Sequence, residues 1–264
     1  MRPTLLITLL LPLAFSPAAQ AELHHEAIHY QDGDTPLQGY LVWDDAYTGK
    51  RPGIMVVHEW WGLNDDARAR ADKLAEAGYV AFAADMYGNR QVTEHPKQAQ
   101  TWMQTITKDV GDWRKRAQLG LDRLKTHPQV DRQRLAAIGY CFGGATVMQM
   151  AYAGADLDAA VSFHGSLPAA TEADDANIEA KILAFHGDAD AFTPKKNVDA
   201  FKAALERAGA DWQLLVFGGV RHSFTNANAA SYGIDNLKYD ANADALSWSY
   251  MLSYFERLFG KEEK

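Results

Sequence analysis

From about residue 35 onward, short apolar runs alternate with stretches of helical periodicity. The runs are GIMVVH (53–58), YVAFAAD (79–85), RLAAIGY (134–140), AAVSFH (159–164), KILAFHG (181–187) and WQLLVFGG (212–219). Each is continuous and rich in β-branched or aromatic residues, the pattern of parallel strands buried on both faces. Ahead of them, HHEAIHYQDGDTPLQGYLVW alternates and turns at Asp32-Gly33-Asp34, which predicts a β-hairpin. Helices are expected over 65–77, opened by Asp65 and Asp66 and stopped by Gly78, and over 195–208, stopped by Gly209. Others are expected over 144–153 and over 238–259, the latter stopped by Gly260. Residues 97–126 hold one or two more, ended by Pro128. This alternation predicts one α/β domain over 22–264, with a mostly parallel, doubly wound sheet and helices on both faces.

The first 21 residues, MRPTLLITLLLPLAFSPAAQA, break the pattern. Arg2, an apolar stretch from Leu5 to Phe15 and Ala19-Gln20-Ala21 form the three regions of a secretory signal peptide. The apolar stretch is shorter than the roughly 20 residues of a membrane-spanning helix. Cleavage after Ala21 is expected, leaving a periplasmic or secreted chain that starts at Glu22 and does not span a membrane. A net charge of -8, without any Lys/Arg run, argues against a nucleic-acid partner. A monomer is expected. The single cysteine, Cys141, cannot form an internal disulfide, so its sequence context matters.

That context is RLAAIGYCFGG, an apolar run ending in Gly139-Tyr140-Cys141-Phe142-Gly143 before a helical pattern. This is the G-x-C-x-G form of a nucleophile elbow. Small residues two positions either side of the nucleophile let strand and helix approach across a sharp turn. The helix N-terminus behind the turn favours a thiolate. A base and an orienting acid should follow, in the order nucleophile, acid, base. HGDADAFTP (186–194) and GGVRHSF (218–224) both lie after strand ends, where open α/β sheets place their sites. His222 is the expected base. Asp190 is preferred over Asp188 as the acid, with turn capping the alternative role for Asp188. His58, His164 and His186 also end strands, although structural histidines are the commoner outcome. His24, His25, His29, His95 and His127 need no chemical role.

VVHEWWGLN (56–64) begins like a zinc-peptidase motif, but such a site needs a second His four residues on, where Gly62 stands. It also follows a strand instead of sitting in a helix. No metal and no cofactor is therefore expected. In an elbow architecture the loop after the third strand supplies the second oxyanion donor. That donor would be the Trp60 N–H, paired with the Phe142 N–H. One such donor contributes on the order of 2.7–4 kcal/mol to transition-state stabilisation.

Together GYCFGG, HEWWGLN, the Asp190 loop and GVRHSF resemble the dienelactone hydrolase family of α/β hydrolases, in matching order from about residue 35 to 259. The resemblance implies an α/β-hydrolase fold with Cys141 as nucleophile, Asp190 as acid and His222 as base. It also implies that Glu59 contacts the thiol and helps to activate it when substrate binds; a structural hydrogen bond is the alternative. The sequence departs from the family in two ways. Arg221 replaces the Gly of G-H-S-F. The family enzymes that act on dienelactone hold the substrate carboxylate with two arginines. Here Arg90 sits one position late for the first, and Asn226 occupies the second. A broader ester or lactone substrate is thus expected, with Arg90, Trp61, Phe224 and Asn226 as candidate contacts. Trp60, Trp61, Phe142 and Phe224 suggest an apolar wall. The expected function is ester or lactone hydrolysis through a Cys-His-Asp triad and an acyl-enzyme. Thioester cleavage, or a redox or binding role on a retained fold, are the alternatives.

Overall fold

A computed structural model describes residues 22–261. The expected signal peptide, residues 1–21, lies outside the described residues. The hairpin forms from β1 (Leu23–Asp32) and β2 (Thr35–Asp44), turning where Gly33 takes φ +57°. The apolar runs become β3 (Arg51–Val57), β4 (Val80–Ala84), β5 (Val130–Tyr140), β6 (Ala159–Phe163), β7 (Lys181–Gly187) and β8 (Trp212–Phe217). They join one eight-stranded sheet in the order β1-β2-β4-β3-β5-β6-β7-β8. β1 with β2 and β2 with β4 are antiparallel; every other pair is parallel. β3 and β5 are central, which is why every residue of β3 and the last six of β5 are buried.

Among the described residues six α-helices cover the sheet: α1 (Asp65–Glu76), α2 (Pro96–Thr107), α3 (Val110–Leu124), α4 (Phe142–Tyr152), α5 (Lys195–Ala208) and α6 (Ala241–Phe259). The 97–126 region is two helices. Asp109 caps the second by accepting from the Asp112 N–H at 2.9 Å, which forces the chain to break there. Strand alternation divides the core into two layers. Met55, Val57 and Phe82 face α3, α4 and α5, while Ile54, Val56 and Ala81 face α1 and α6. Side chains buried as completely as Phe82 and Ile54 each contribute about 1.5–3 kcal/mol.

The parallel register places the C-terminal ends of β3, β4, β5, β6 and β7 along one edge, with Val57 beside both Ala84 and Gly139, and Tyr140 beside Phe163. The loops that leave this edge carry the candidate residues. Among the described residues no helix is long and apolar enough to cross a membrane.

Candidate active site

Cys141 sits between β5 and α4 at φ 53° and ψ −114°, a backbone conformation that non-glycine residues rarely adopt. The flanking glycines make this turn sterically possible. A Cβ on Gly139 would lie 2.0 Å from the Gly143 carbonyl oxygen, and one on Gly143 would lie 2.2 Å from that of Val57. The Cys141 N–H donates to the Phe163 carbonyl at 3.0 Å, which ties the elbow to β6. Every residue of α4 is buried, so its N-terminal dipole lies behind the thiol in a low-dielectric setting.

His222 and Asp190 meet at this edge, with His222 Nδ1 2.7 Å from Asp190 Oδ2. The second oxygen, Oδ1, accepts from the Phe192 N–H at 2.8 Å and from Asn236 Nδ2 at 3.1 Å. Burial would raise the Asp190 pKa, but the hydrogen bond and charge of His222, with those two donors, outweigh it and hold it at about 2. Asp188, two residues earlier, is exposed. Burial would likewise depress His222. The neighbouring Cys141 sulfur and the hydrogen bond to Asp190 oppose this and lift His222 well above the usual imidazole range. An ionised carboxylate at hydrogen-bond distance favours the protonated form of the ring. The remaining ring nitrogen, Nε2, is buried and has no oxygen or nitrogen partner.

Cys141, His222, Phe142 and Trp60 line one cavity of about 470 Å³. The rest of its lining is Pro96, Lys97, Gln100 and Met103 from α2, together with Ser166, Phe192 and Leu237. Phe142 opens α4, so its N–H has no carbonyl within the helix to meet. Neither the Phe142 nor the Trp60 N–H donates to a backbone carbonyl among the described residues.

Glu59 faces elsewhere. Its Oε1 accepts from Ser223 Oγ at 2.5 Å and its Oε2 from Asn226 Nδ2 at 3.0 Å. Burial raises its pKa against these two donors. Through these bonds Glu59 joins the loop after β3 to the loop that carries His222. His164 is buried, with Nε2 2.8 Å from Thr225 Oγ1 and its ring centroid 5.2 Å from that of His222. Burial and the charge of His222 drive its pKa well below the usual value, so it packs as a neutral ring. His186 is also depressed by burial.

The four expected substrate contacts lie away from the cavity that holds Cys141. Trp61 is 1% exposed and stacks on Tyr232 at 3.8 Å, because its loop packs against the 3-10 turn Ala229–Tyr232. Phe224 is fully buried in the core beneath His164. Asn226 spends both ends of its amide internally, on Glu59 and on the Asn228 N–H. Arg90, exposed at φ 58°, lines a separate cleft with Gln38, Tyr40 and Arg68. The α2 residues that do line the cavity were not singled out in the sequence. Their one visible signal is the partly buried set Trp102, Met103 and Ile106 on an otherwise polar helix. Among the described residues no group of three His, Cys, Asp or Glu side chains is arranged to hold a metal ion.

The model of the dienelactone hydrolase family matches residues 37–259. The chain belongs to the dienelactone hydrolase family. Family membership makes it a dienelactone hydrolase-like hydrolase. A dienelactone hydrolase-like promiscuous phosphotriesterase from metagenomic libraries is 41% identical, with a TM-score of 0.88 over 90% of this chain and 99% of that one. A protein of Aquifex aeolicus provisionally named carboxymethylenebutenolidase is 26% identical over 88% of this chain and 97% of its own length. A crystal structure of a provisionally named dienelactone hydrolase from Klebsiella pneumoniae has a TM-score of 0.72 at 22% identity, over 89% of this chain and 99% of that one. That last likeness concerns the fold alone.

Proposed function

We propose that this family member hydrolyses carboxylic esters or lactones through a covalent acyl-enzyme on Cys141. The observation that carries the reading is the buried Asp190–His222 pair opening, with Cys141, into one cavity at the elbow. The thiolate attacks the carbonyl carbon, and the Trp60 and Phe142 N–H groups receive the developing oxyanion. The imidazolium of His222 gives its proton to the leaving alkoxide as the C–O bond breaks. His222, now neutral, takes a proton from water. The hydroxide attacks the thioester, the acid departs, and the thiolate–imidazolium pair returns. Trapping tests this. Rapid quench of the wild type with a slowly deacylating aryl ester should add one acyl mass to the peptide that contains Cys141. An acyl group on another residue, or none during turnover, would overturn the mechanism.

The cavity also bears on substrate choice. Trp60, Met103, Phe142, Phe192 and Leu237 make its lining largely apolar. Its one permanent cation, Lys97, is exposed at the start of α2, where water and salt screen it. No pair of arginines lines it to clamp a carboxylate. Neutral esters and lactones are therefore expected to exceed their carboxylate-bearing counterparts in kcat/KM by ~10-fold or more, since an unpaired charge resists transfer into an apolar cavity. Equal values for matched neutral and anionic lactones would contradict this.

The 41% identity to a phosphotriesterase supports a second reading, slow attack of the same thiolate on a neutral phosphotriester. Release of aryl alcohol from a diethyl aryl phosphate that tracks Cys141 and fades with phosphoryl transfer to its sulfur is the expected outcome. The reading further proposes an exported, periplasmic or secreted monomer.

A further inference from the structure

His58 is the first residue after β3 and is fully buried, yet the chemistry above assigns it nothing. Both ring nitrogens are engaged. Nδ1 lies 2.5 Å from the Glu59 carbonyl oxygen, which can only accept, and Nε2 lies 3.3 Å from the Met86 N–H, which can only donate. One neutral tautomer satisfies both, with the hydrogen on Nδ1. Burial depresses the His58 pKa against the opposing pull of that carbonyl and of Asp85, which keeps the ring in this form.

The Glu59 carbonyl and the Trp60 N–H belong to one peptide group. No described peptide bond is cis, so the two bonds point in opposite directions. With the carbonyl directed at His58, the Trp60 N–H points away from that ring, on the opposite side of the chain. The next peptide is fixed as well, because Tyr87 Oη donates to the Trp60 carbonyl at 2.9 Å. Tyr87 is itself held where Asp85 Oδ1 accepts from its N–H at 3.0 Å. The rings of His58 and Tyr87 pack on Phe142, with centroids 6.0 Å and 5.7 Å away, and Phe142 supplies the other N–H.

We propose that His58 is a positioning residue for the oxyanion hole, holding the Glu59–Trp60 peptide so that the Trp60 N–H faces the carbonyl oxygen of a substrate at Cys141. This rests on the acyl-transfer reading above. Tyr87 secures the next peptide along the same backbone. A nearby backbone donor is thereby made rigid by side chains that never touch substrate.

The test combines kinetics with the carbonyl stretch of a slowly deacylating cinnamoyl-enzyme, read by difference infrared spectroscopy. His58→Leu removes the hydrogen bond, whereas His58→Asn keeps an amide N–H near the position of Nδ1. His58→Leu should lower kcat by ~10–100-fold with KM changed less than twofold, short of the ~10²–10³-fold cost of removing one oxyanion donor outright. Its acyl carbonyl band should shift to higher frequency, and His58→Asn should recover most of both. Tyr87→Phe should shift the band in the same direction. A folded His58→Leu with wild-type kcat and an unmoved band overturns the proposal. If His58→Leu does not fold, His58→Asn and Tyr87→Phe decide: a wild-type band in Tyr87→Phe, or a shifted band in His58→Asn, overturns it. Cys141→Ala in the same assay separates the two levels. Retained activity there defeats the acyl-enzyme reading itself, whereas an inactive Cys141→Ala beside an unaltered His58→Leu defeats only the role of His58.

Discussion

Replacing Cys141 with alanine is expected to lower kcat for ester hydrolysis by at least ~10⁴-fold, because removing the nucleophile of a triad costs about as much as removing the whole set. The residue that remains, a cavity with two N–H donors and a base, retains only the modest acceleration over water that such features supply. The fold should survive. The elbow conformation at φ 53° is imposed by the packing of Gly139 and Gly143, and alanine carries the same Cβ as cysteine. Cys141 is half-buried at a cavity wall, so loss of its sulfur removes little packing. The measurement is steady-state hydrolysis of a p-nitrophenyl ester alongside a thermal melt by circular dichroism. Wild-type turnover in a protein with an unchanged melt would remove Cys141 from the chemistry. Collapse of both would make the thiol a core residue.

Much of this architecture was readable from the chain because buried parallel strands need apolar residues on both faces. GIMVVH, AAVSFH and KILAFHG could be little else, and they became β3, β6 and β7 within two residues at each end. The elbow was readable for a different reason: only glycine tolerates a Gly143 carbonyl oxygen 2.0 Å from its missing Cβ, so the glycine spacing records the turn. Side chains on the loops were less legible. Trp61 and Phe224 lie within the motifs and Asn226 just after one, yet the folded loops pack Trp61 on Tyr232 and Phe224 beneath His164, and bind Asn226 to Glu59. The α2 wall left only the apolar set Trp102, Met103 and Ile106 as a trace, because Pro96, Lys97, Gln100 and Met103 reach the cavity only through how α2 docks. Asp188 and Asp190 were indistinguishable as residue types. Their difference is geometric, one exposed and the other buried 2.7 Å from His222 Nδ1.

Asp190→Asn is expected to lower kcat for an alkyl ester or lactone by ~10²–10⁴-fold with the fold intact, the upper figure being the cost of the equivalent change in a serine triad. The cause is the direction of donation. The Phe192 N–H and Asn236 Nδ2 both donate to Oδ1, so the carbonyl oxygen of an asparagine is drawn to that side. Its NH₂ then faces His222 Nδ1, which must accept, and the ring proton is forced onto Nε2 in the neutral form. Such a ring cannot take a proton from water, and deacylation stalls. The imidazolium also loses one of the two anions that raise its pKa, so proton donation to the leaving group should fail at lower pH in the variant than in the wild type. The Asp190 pKa of about 2 fixes the other limit. A depressed carboxylate contributes stability that is fully present above its unfolded value and lost as pH falls through the folded one. Wild-type melting temperature should therefore fall more steeply than that of Asp190→Asn between roughly pH 4 and 2. Parallel melting curves across that window, or an unchanged alkaline limit for the alkyl ester, would mean that Asp190 does not hold the imidazolium. The acyl-enzyme would then have to be turned over by a different base, and His164, neutral and 5.2 Å from His222, would be the first residue to test.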